Sequence, residues 1–149
     1  IPLSSHTLEA KSAVLDNISN EQFGVSELAD KMNMSRSNLL RKIKKQTNLS
    51  ASQFIREIRL QKAAELLLET EYTASEIAFE VGFSNPSYFT KCYREYYGYP
   101  PSETKIKKKE EKSHDEIKNQ AIKELILQQV KESLNKLQTK TPMQRSSKS

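Results

Sequence analysis

Glycine, cysteine and tryptophan are scarce in this sequence, and each scarcity excludes a class of protein. Three glycines and no tryptophan among 149 residues argue against a turn-rich β fold. The single cysteine, Cys92, excludes an internal disulfide framework and any zinc site that needs two thiolates. No apolar run approaches the roughly 20 residues that span a bilayer, and residues 1–10 lack the basic start and apolar stretch of a signal peptide. The first residue is not methionine, so we expect a segment of a longer protein.

Positive charge is distributed unevenly along the chain. The net charge of +5 divides into 12 Lys/Arg against 13 Asp/Glu in residues 1–104, and 12 against 6 in residues 105–149. Between Arg36 and Lys62, eight basic residues stand beside one acidic residue, Glu57. A stripe of this density fits the phosphate backbone of a nucleic acid, but it is also compatible with an ordinary solvated helix face. Composition alone leaves both interpretations open.

Apolar residues recur at helical spacing along the first two thirds of the chain. The pattern predicts helices in residues 7–18, 24–34, 35–46 and 50–69. Ser35 is the predicted N-cap of the third helix, and Ser50 with Gln53 forms a capping box at the start of the fourth. Thr73 with Glu76 forms another capping box further along. The fourth segment contains no glycine or proline, and we expect it to be the longest helix of the core.

The chain contains an internal repeat with an offset of 49 to 50 residues. "SELA" at residues 26–29 corresponds to "SEIA" at residues 75–78. Past the next turn, "LLRKIK" at residues 39–44 corresponds to "FTKCYR" at residues 89–94. Each unit reads as a helix, a short turn and a second helix. The sequence therefore predicts an all-α fold with two helix-turn-helix subdomains, at about 24–47 and 73–97, bridged by a long central helix at 51–69.

A helix-turn-helix unit binds DNA by placing its second helix, the reading helix, in the major groove. The reading helix needs an apolar face toward its own subdomain and a polar face toward the bases. The predicted inward residues are Leu39 and Ile43 in the first unit, and Phe89, Cys92 and Tyr93 in the second. The predicted outward residues are Arg36, Ser37, Leu40, Arg41 and Lys44 in the first, and Asn85, Ser87, Tyr88, Lys91 and Arg94 in the second.

The chain resembles the DNA-binding domain of the AraC/XylS family of bacterial transcription regulators. The resemblance is carried by "VSELADKMNMSRSNLLRKIKKQTNLSASQFI", "RLQKAAELL" and "ASEIAFEVGFSNPSYFTKCYREYYGYPPSE", and it covers roughly residues 7–103. It implies seven helices, binding to double-stranded promoter DNA and contact with RNA polymerase. By motif position it assigns base contacts to Ser37, Leu40, Arg41, Asn85, Pro86, Ser87, Tyr88 and Lys91. It assigns phosphate contacts to Arg36, Lys44 and Arg94, with Arg59 as a weaker candidate.

The chain departs from the family pattern in three places. Asn48 stands where the family has glycine, and asparagine also tolerates a left-handed backbone. Thr104-Lys105 replaces an aromatic-arginine pair, which puts the final helix of the domain in question. The chain also continues past residue 104, where that domain ordinarily ends. In this extension we expect a charged linker at 105–112, an amphipathic helix at 115–137 and a disordered tail at 139–149.

The helix of the extension has one predicted apolar stripe, which needs a surface to lie on. It could pack on the domain, pair with a second copy of the chain, or bind a partner protein. The stripe consists of Ile117, Ala121, Leu125, Val130, Leu134 and Leu137, broadened by Ile122, Ile126 and Leu127.

The main alternative to DNA binding is a helical protein-interaction module without DNA readout, which would not need paired basic faces. An enzyme is disfavoured because the sequence has no glycine-rich phosphate loop, metal-ligand cluster or nucleophile–histidine pair. We expect no cofactor and no metal, since His6 and His114 lack partner ligands. Arg41 could instead clamp a phosphate, and Leu40 could cover the core in place of touching a thymine methyl. The expected location is the cytoplasm, at the nucleoid, without membrane contact by this segment, although the full-length protein could be tethered to a membrane sensor.

Overall fold

The computed structural model describes residues 4–146, with side chains described as far as residue 138. Within these residues all regular secondary structure is helical, which confirms the predicted all-α fold. The chain divides into two compact units, residues 1–105 and residues 106–149. The elements are α1 (Ser5–Asp16), α2 (Val25–Lys31), α3 (Arg36–Thr47), α4 (Ala51–Glu69), α5 (Ala74–Glu80), α6 (Pro86–Tyr97), a 3₁₀ turn (Pro101–Glu103) and α7 (Thr104–Ser146).

Side-chain caps fix where the helices begin, as the sequence predicts. Ser35 Oγ accepts a backbone N–H at 3.1 Å at the start of α3. Capping boxes close the first turn of α4, through Ser50 and Gln53, and that of α5, through Thr73 and Glu76. Each box satisfies backbone N–H groups that have no partner inside the helix. The starts of these helices are therefore set by hydrogen bonds between near neighbours in sequence.

Unit 1–105 contains two hydrophobic cores, one for each helix-turn-helix subdomain. The first core joins α1, α2, α3 and the first half of α4, with Leu28 and Leu39 fully buried. The second joins the remainder of α4 to α5 and α6, with Phe89 fully buried. The first core extends along α4 as far as Ile58, and the second begins at Leu60. This arrangement confirms the prediction that α4 bridges the two subdomains.

Left-handed backbone recurs at equivalent positions of the two subdomains. The turn between the helices contains Asn33 at φ 54° in the first and Gly82 at φ 87° in the second. The reading helices end at Asn48, with φ 63°, and at Gly98, with φ 85°. Among non-glycine residues, asparagine adopts this conformation most readily. The expectation that Asn48 preserves the turn is confirmed.

The last helix of the domain forms despite the Thr104-Lys105 departure. The Thr104 hydroxyl lies 2.6 Å from Tyr93 Oη in a buried hydrogen bond. Burial raises the pKa of Tyr93 to about 12. Lys105 Nζ forms an ion pair with Glu71 at 3.0 Å. A buried hydroxyl and an ion pair therefore hold the first residues of α7 within unit 1–105.

The prediction of a linker followed by a separate helix is wrong, because residues 104–146 form one helix. Residues 105–112 contain no glycine or proline to interrupt it. Lys107 pairs with Glu110 at 3.8 Å and Lys108 with Glu111 at 3.4 Å, and ion pairs at this spacing stabilise a helix. The structure also differs from the predicted disordered tail at 139–149. Residues 139–146 continue α7, and 147–149 lie outside the described residues.

The apolar residues of α7 do not form the single predicted stripe. An α-helix turns by about 100° per residue, so Leu125 and Leu134, nine positions apart, lie on opposite sides. Ile117 and Ala121 share the side of Leu125, whereas Val130 shares that of Leu134. Leu125 is 60% exposed and Leu134 is 52% exposed.

Over the described part of the chain, every helix is too short or too polar to cross a membrane.

Candidate nucleic-acid interface

The first reading helix, α3, has the two faces that the sequence predicts. Leu39 and Ile43, four positions apart, are buried in the first core. This spacing turns the residues between them away from the core. All five residues predicted to face outward are exposed, namely Arg36, Ser37, Leu40, Arg41 and Lys44.

Hydrogen bonds hold two cations of α3 in place. Arg41 Nη2 donates to Asn38 Oδ1 at 2.6 Å. Lys44 Nζ donates to the backbone carbonyl of Asn48 at 3.2 Å, at the end of the helix where a cation also complements the helix dipole. A guanidinium has five N–H donors, so Arg41 keeps donors for a further acceptor. Sequence reasoning missed Asn38, although its i, i+3 spacing to Arg41 was a signal.

The second reading helix, α6, begins at an asparagine cap followed by proline. Asn85 Oδ1 accepts the backbone N–H groups of Ser87 at 2.8 Å and of Tyr88 at 3.1 Å. Pro86 occupies the first turn, where the N–H that proline lacks would have no partner in the helix. Because Oδ1 serves the helix, a contact from Asn85 to a base would use its NH₂ group. Asn85, Ser87, Tyr88, Lys91 and Arg94 are exposed, as predicted, and Pro86 is half-buried.

The inward face of α6 is aromatic and fixes the helix on the second core. The ring of Phe89 lies 5.2 Å from that of Phe83, edge to face, and 5.7 Å from that of Tyr93. Tyr93 in turn lies 4.6 Å from Tyr97, whose pKa is raised chiefly by burial. Tyr88 differs, since it is 49% exposed. The buried aromatic residues Phe89 and Tyr93 therefore face the core, whereas Tyr88 is exposed, as are the basic residues of α6.

Arg59 is not a phosphate contact, contrary to the prediction. It is 6% exposed, and burial lowers the pKa of its guanidinium. It donates at 2.5 to 3.1 Å to four backbone carbonyls, those of Ile18, Asn20, Phe23 and Val81. A guanidinium that is buried and bonded to four carbonyls has no access to a DNA phosphate.

An open depression of about 400 Å³ beside α3 adds residues that sequence reasoning missed. It is lined by Ser4, His6, Lys42, Lys45 and Gln46. The two ammonium groups can attract an anion such as a phosphate oxygen. Both lysines belong to the basic stripe of residues 36–62, so the signal for them was present in the sequence.

The exposed faces of α3 and α6 offer hydrogen-bond donors and cations, which suit a polyanion. Among the residues that the structure describes, no group of three or more His, Cys, Asp or Glu side chains could hold a metal ion. Cys92 is buried in the second core, where a thiol packs as a small apolar group.

A family model described as a helix-turn-helix domain matches residues 28–106, which is more than half of the chain. "Histidine kinase P4" of Formosa agariphila is 41% identical over 95 residues, covering 64% of this chain and 7% of that protein. The chain thus spans only a small part of the length of this relative.

Two solved structures share the fold. A transcriptional regulator of Chromobacterium violaceum, described as containing an AraC-type DNA-binding domain, is 29% identical with a TM-score of 0.63, covering 68% of this chain and 89% of that one. The DNA-binding domain of AdpA, solved in complex with a target DNA, is 26% identical with a TM-score of 0.61, covering 69% and 92%. The domain that these proteins share with the chain is a DNA-binding domain of transcription regulators and not an enzyme domain. By its family match, its sequence motifs and its double helix-turn-helix fold, the chain belongs to the AraC/XylS family of transcription regulators.

Proposed function

We propose that this chain binds promoter DNA sequence-specifically, with α3 and α6 in two successive major grooves on one face of the duplex. A major groove about 12 Å wide accepts one α-helix, and successive grooves recur about every 34 Å. The observation that carries the proposal is that α3 and α6 each combine a buried apolar face with an exposed polar face. One chain would then contact the length of DNA that a dimer of single helix-turn-helix proteins covers.

Arg41 and Lys91 are the cations proposed to contact base edges, at equivalent positions of the two reading helices. Arginine can donate two hydrogen bonds to O6 and N7 of guanine, whereas lysine acts as a point charge. The bond from Arg41 to Asn38 restricts where the guanidinium can point, which supports a directed contact. The further proposed base contacts are Ser37, Leu40, Asn85, Pro86, Ser87 and Tyr88, with Leu40 against a thymine methyl.

Arg36, Lys44 and Arg94 are proposed to contact phosphates. Arg36 is the first residue of α3, and Lys44 and Arg94 lie in the last turns of α3 and α6. Phosphate contacts of this kind fix the register of a protein on the duplex without reading sequence. We add Lys42 and Lys45, which line the depression beside α3.

The wider setting of the chain is also inferred. The AdpA domain was solved on a target DNA, which supports duplex DNA as the ligand of this related chain. We infer that the protein acts in the cytoplasm at the nucleoid and contacts RNA polymerase there, as the output segment of a longer protein that a membrane sensor could tether. The exposed apolar residues of α7 would bind a second copy or a partner protein.

The test is selection of bound duplexes from a random pool by the full chain, followed by hydroxyl-radical footprinting of the selected sequence. The proposal predicts two protected tracts on one face of the duplex, with centres about 10 base pairs apart. Protection of a single tract would contradict the two-groove arrangement. Absence of any enrichment over the starting pool would instead favour a protein-interaction module.

A further inference from the structure

Arg59 lies where the two hydrophobic cores of unit 1–105 meet. The first core extends along α4 as far as Ile58, and the second begins at Leu60. Helices α1 to α3 pack on α4 and on one another, and so do α5 and α6. Ile18 packs against both cores. Because apolar burial is non-directional, packing along α4 alone does not fix the angle between the subdomains.

The guanidinium of Arg59 joins the two subdomains by directional hydrogen bonds. On the side of the first subdomain, its partners are the carbonyls of Ile18, Asn20 and Phe23, all in the segment between α1 and α2. On the side of the second, its partner is the carbonyl of Val81, the C-cap of α5. One nitrogen, Nη1, bonds both Ile18 O at 2.5 Å and Val81 O at 2.7 Å. A single side chain therefore makes directional hydrogen bonds to both subdomains.

The residue after Val81 leaves room for this link. A Cβ at Gly82 would overlap the Arg59 guanidinium and lie 2.5 Å from the carbonyl oxygen of Ile18. In the first subdomain the equivalent left-handed position holds Asn33, which carries a side chain. The two repeats thus differ at the position that faces Arg59.

We propose that Arg59 is a positioning residue that sets the distance and angle between α3 and α6, and with them the half-site spacing that the protein accepts. This inference rests on the proposed two-groove function. One inserted base pair moves a half-site by about 3.4 Å and rotates it by about 35° around the duplex. A junction held by four directional hydrogen bonds keeps the distance and angle between α3 and α6 fixed, so the protein binds the shifted half-site weakly. A loosened junction can adjust to the shifted half-site.

The first test compares Arg59→Met, which keeps a long side chain but removes its donors, with Lys62→Met as a matched control. Lys62 lies on the same helix and pairs with Glu65 within it at 3.2 Å. Affinity is measured for the selected duplex and for the same duplex with one base pair inserted between the half-sites. The wild type and Lys62→Met should bind the inserted duplex at least about tenfold more weakly, a penalty comparable to a mismatched base pair. Arg59→Met should bind the inserted duplex at most about threefold more weakly than the parent duplex.

A second measurement covers the case in which Arg59→Met does not fold. Arg59→Lys keeps a cation with three donors, so it should retain part of the link. Spin labels at Asp30→Cys and Glu95→Cys, in a Cys92→Ser background, report the distance between the subdomains without DNA. The inference predicts that the distance distribution in Arg59→Lys is broader than, or shifted from, that of the same labelled protein with Arg59 retained. An unchanged distance distribution overturns the inference. So does a folded Arg59→Met whose affinity falls as much on insertion of the base pair as that of the wild type.

The two proposals fail in different ways. If the wild type binds the parent and inserted duplexes equally, the claim that Arg59 restricts spacing is wrong, whereas the two-groove function itself fails only if the footprint shows a single protected tract. The label distances then still decide whether Arg59 sets the angle between the subdomains. If the wild type discriminates and the Arg59 variants do so equally well, only the role of Arg59 is wrong.

Discussion

Among single residues, comparison of Arg41 with Lys44 separates a proposed base contact from a proposed contact to DNA phosphate. Both are exposed on α3, within one turn of each other. Arg41 is held by Asn38, whereas Lys44 is bonded to the carbonyl of Asn48 at the helix end. A planar guanidinium matches the edge of a base, and an ammonium acts as a point charge toward phosphate.

Arg41→Ala should cost about 1–3 kcal/mol of binding free energy on the selected site and relax base preference there. Lys44→Ala should weaken binding to all sequences alike and reduce the slope of log affinity against log salt by about one unit. Anisotropy titrations on selected and scrambled duplexes at several salt concentrations measure both effects. A relaxed base preference in Lys44→Ala, or unchanged affinity and preference in Arg41→Ala, would show that the assigned roles are wrong.

Tyr93 should make the stability of unit 1–105 depend on alkaline pH. Its pKa rises from 10.0 to about 12 in the folded state, because burial disfavours the phenolate. The raised pKa adds about 2–3 kcal/mol to the free energy of unfolding; this is fully present below pH 10 and lost as pH rises through 12. Tyr97, whose pKa is also raised, acts in the same direction.

Urea unfolding followed by circular dichroism tests this dependence. The wild type should be less stable at about pH 11.5 than at about pH 9, and Tyr93→Phe should lose less between the two. At the lower pH, Tyr93→Phe should itself cost about 1–3 kcal/mol, because it leaves the buried hydroxyl of Thr104 without its partner. Equal pH dependence in the two proteins would mean that Tyr93 is not the titrating group.

At the scale of the elements, the two left-handed glycines differ in their surroundings. A Cβ at Gly98 would meet nothing within 4 Å, whereas one at Gly82 would overlap Arg59. Asn33 and Asn48 show that asparagine can occupy the equivalent positions of the first subdomain. The backbone requirement is therefore shared, and the steric requirement is specific to Gly82.

Gly98→Asn should cost about 1 kcal/mol of stability, the backbone penalty alone. Gly82→Asn should cost at least about 3 kcal/mol, since its side chain must displace a buried cation from its partners. The free energies of urea unfolding of the two variants provide the comparison. Similar losses in both would argue against a tight fit between Gly82 and Arg59.

The helices and the exposed faces of α3 and α6 could be predicted because their signals are local. Ser35 and the two capping boxes act within four residues, and the spacing of Leu39 and Ile43 directs the face between them. The role of Arg59 could not be predicted in the same way. Its partners are backbone carbonyls from residues 18–23 and 81. Because every residue has a backbone carbonyl, the sequence does not indicate which of them accept a hydrogen bond.

The errors on α7 have a different cause. Its lysine-rich start suggested a solvated linker, but charges of both signs at i, i+3 spacing also stabilise a helix. Its apolar residues suggested one stripe because each pair of neighbours is three to five positions apart. Leu125 and Leu134 are nine residues, or about two and a half turns, apart, so the steps add to a half-turn offset that comparison of neighbouring pairs does not detect.

On the scale of the whole molecule, the proposed DNA contacts all lie within unit 1–105, between Arg36 and Arg94. Removal of residues 106–149 should therefore leave the selected sequence unchanged. It should weaken binding to all duplexes by a similar factor, because the extension carries a positive net charge. Repeating the selection with the shortened chain measures the preference, and anisotropy titrations measure the affinity. A lost base preference would show that α7 reads DNA.

The central claim is that α3 and α6 each read their own stretch of one duplex. The most direct measurement is the binding-site selection performed separately with Arg41→Ala and Lys91→Ala, each compared with the wild type. The prediction is that each variant loses base preference in a different tract, the two tracts lying about 10 base pairs apart, while preference in the other tract persists. Loss in the same tract for both variants, or in neither tract for either, would contradict the claim.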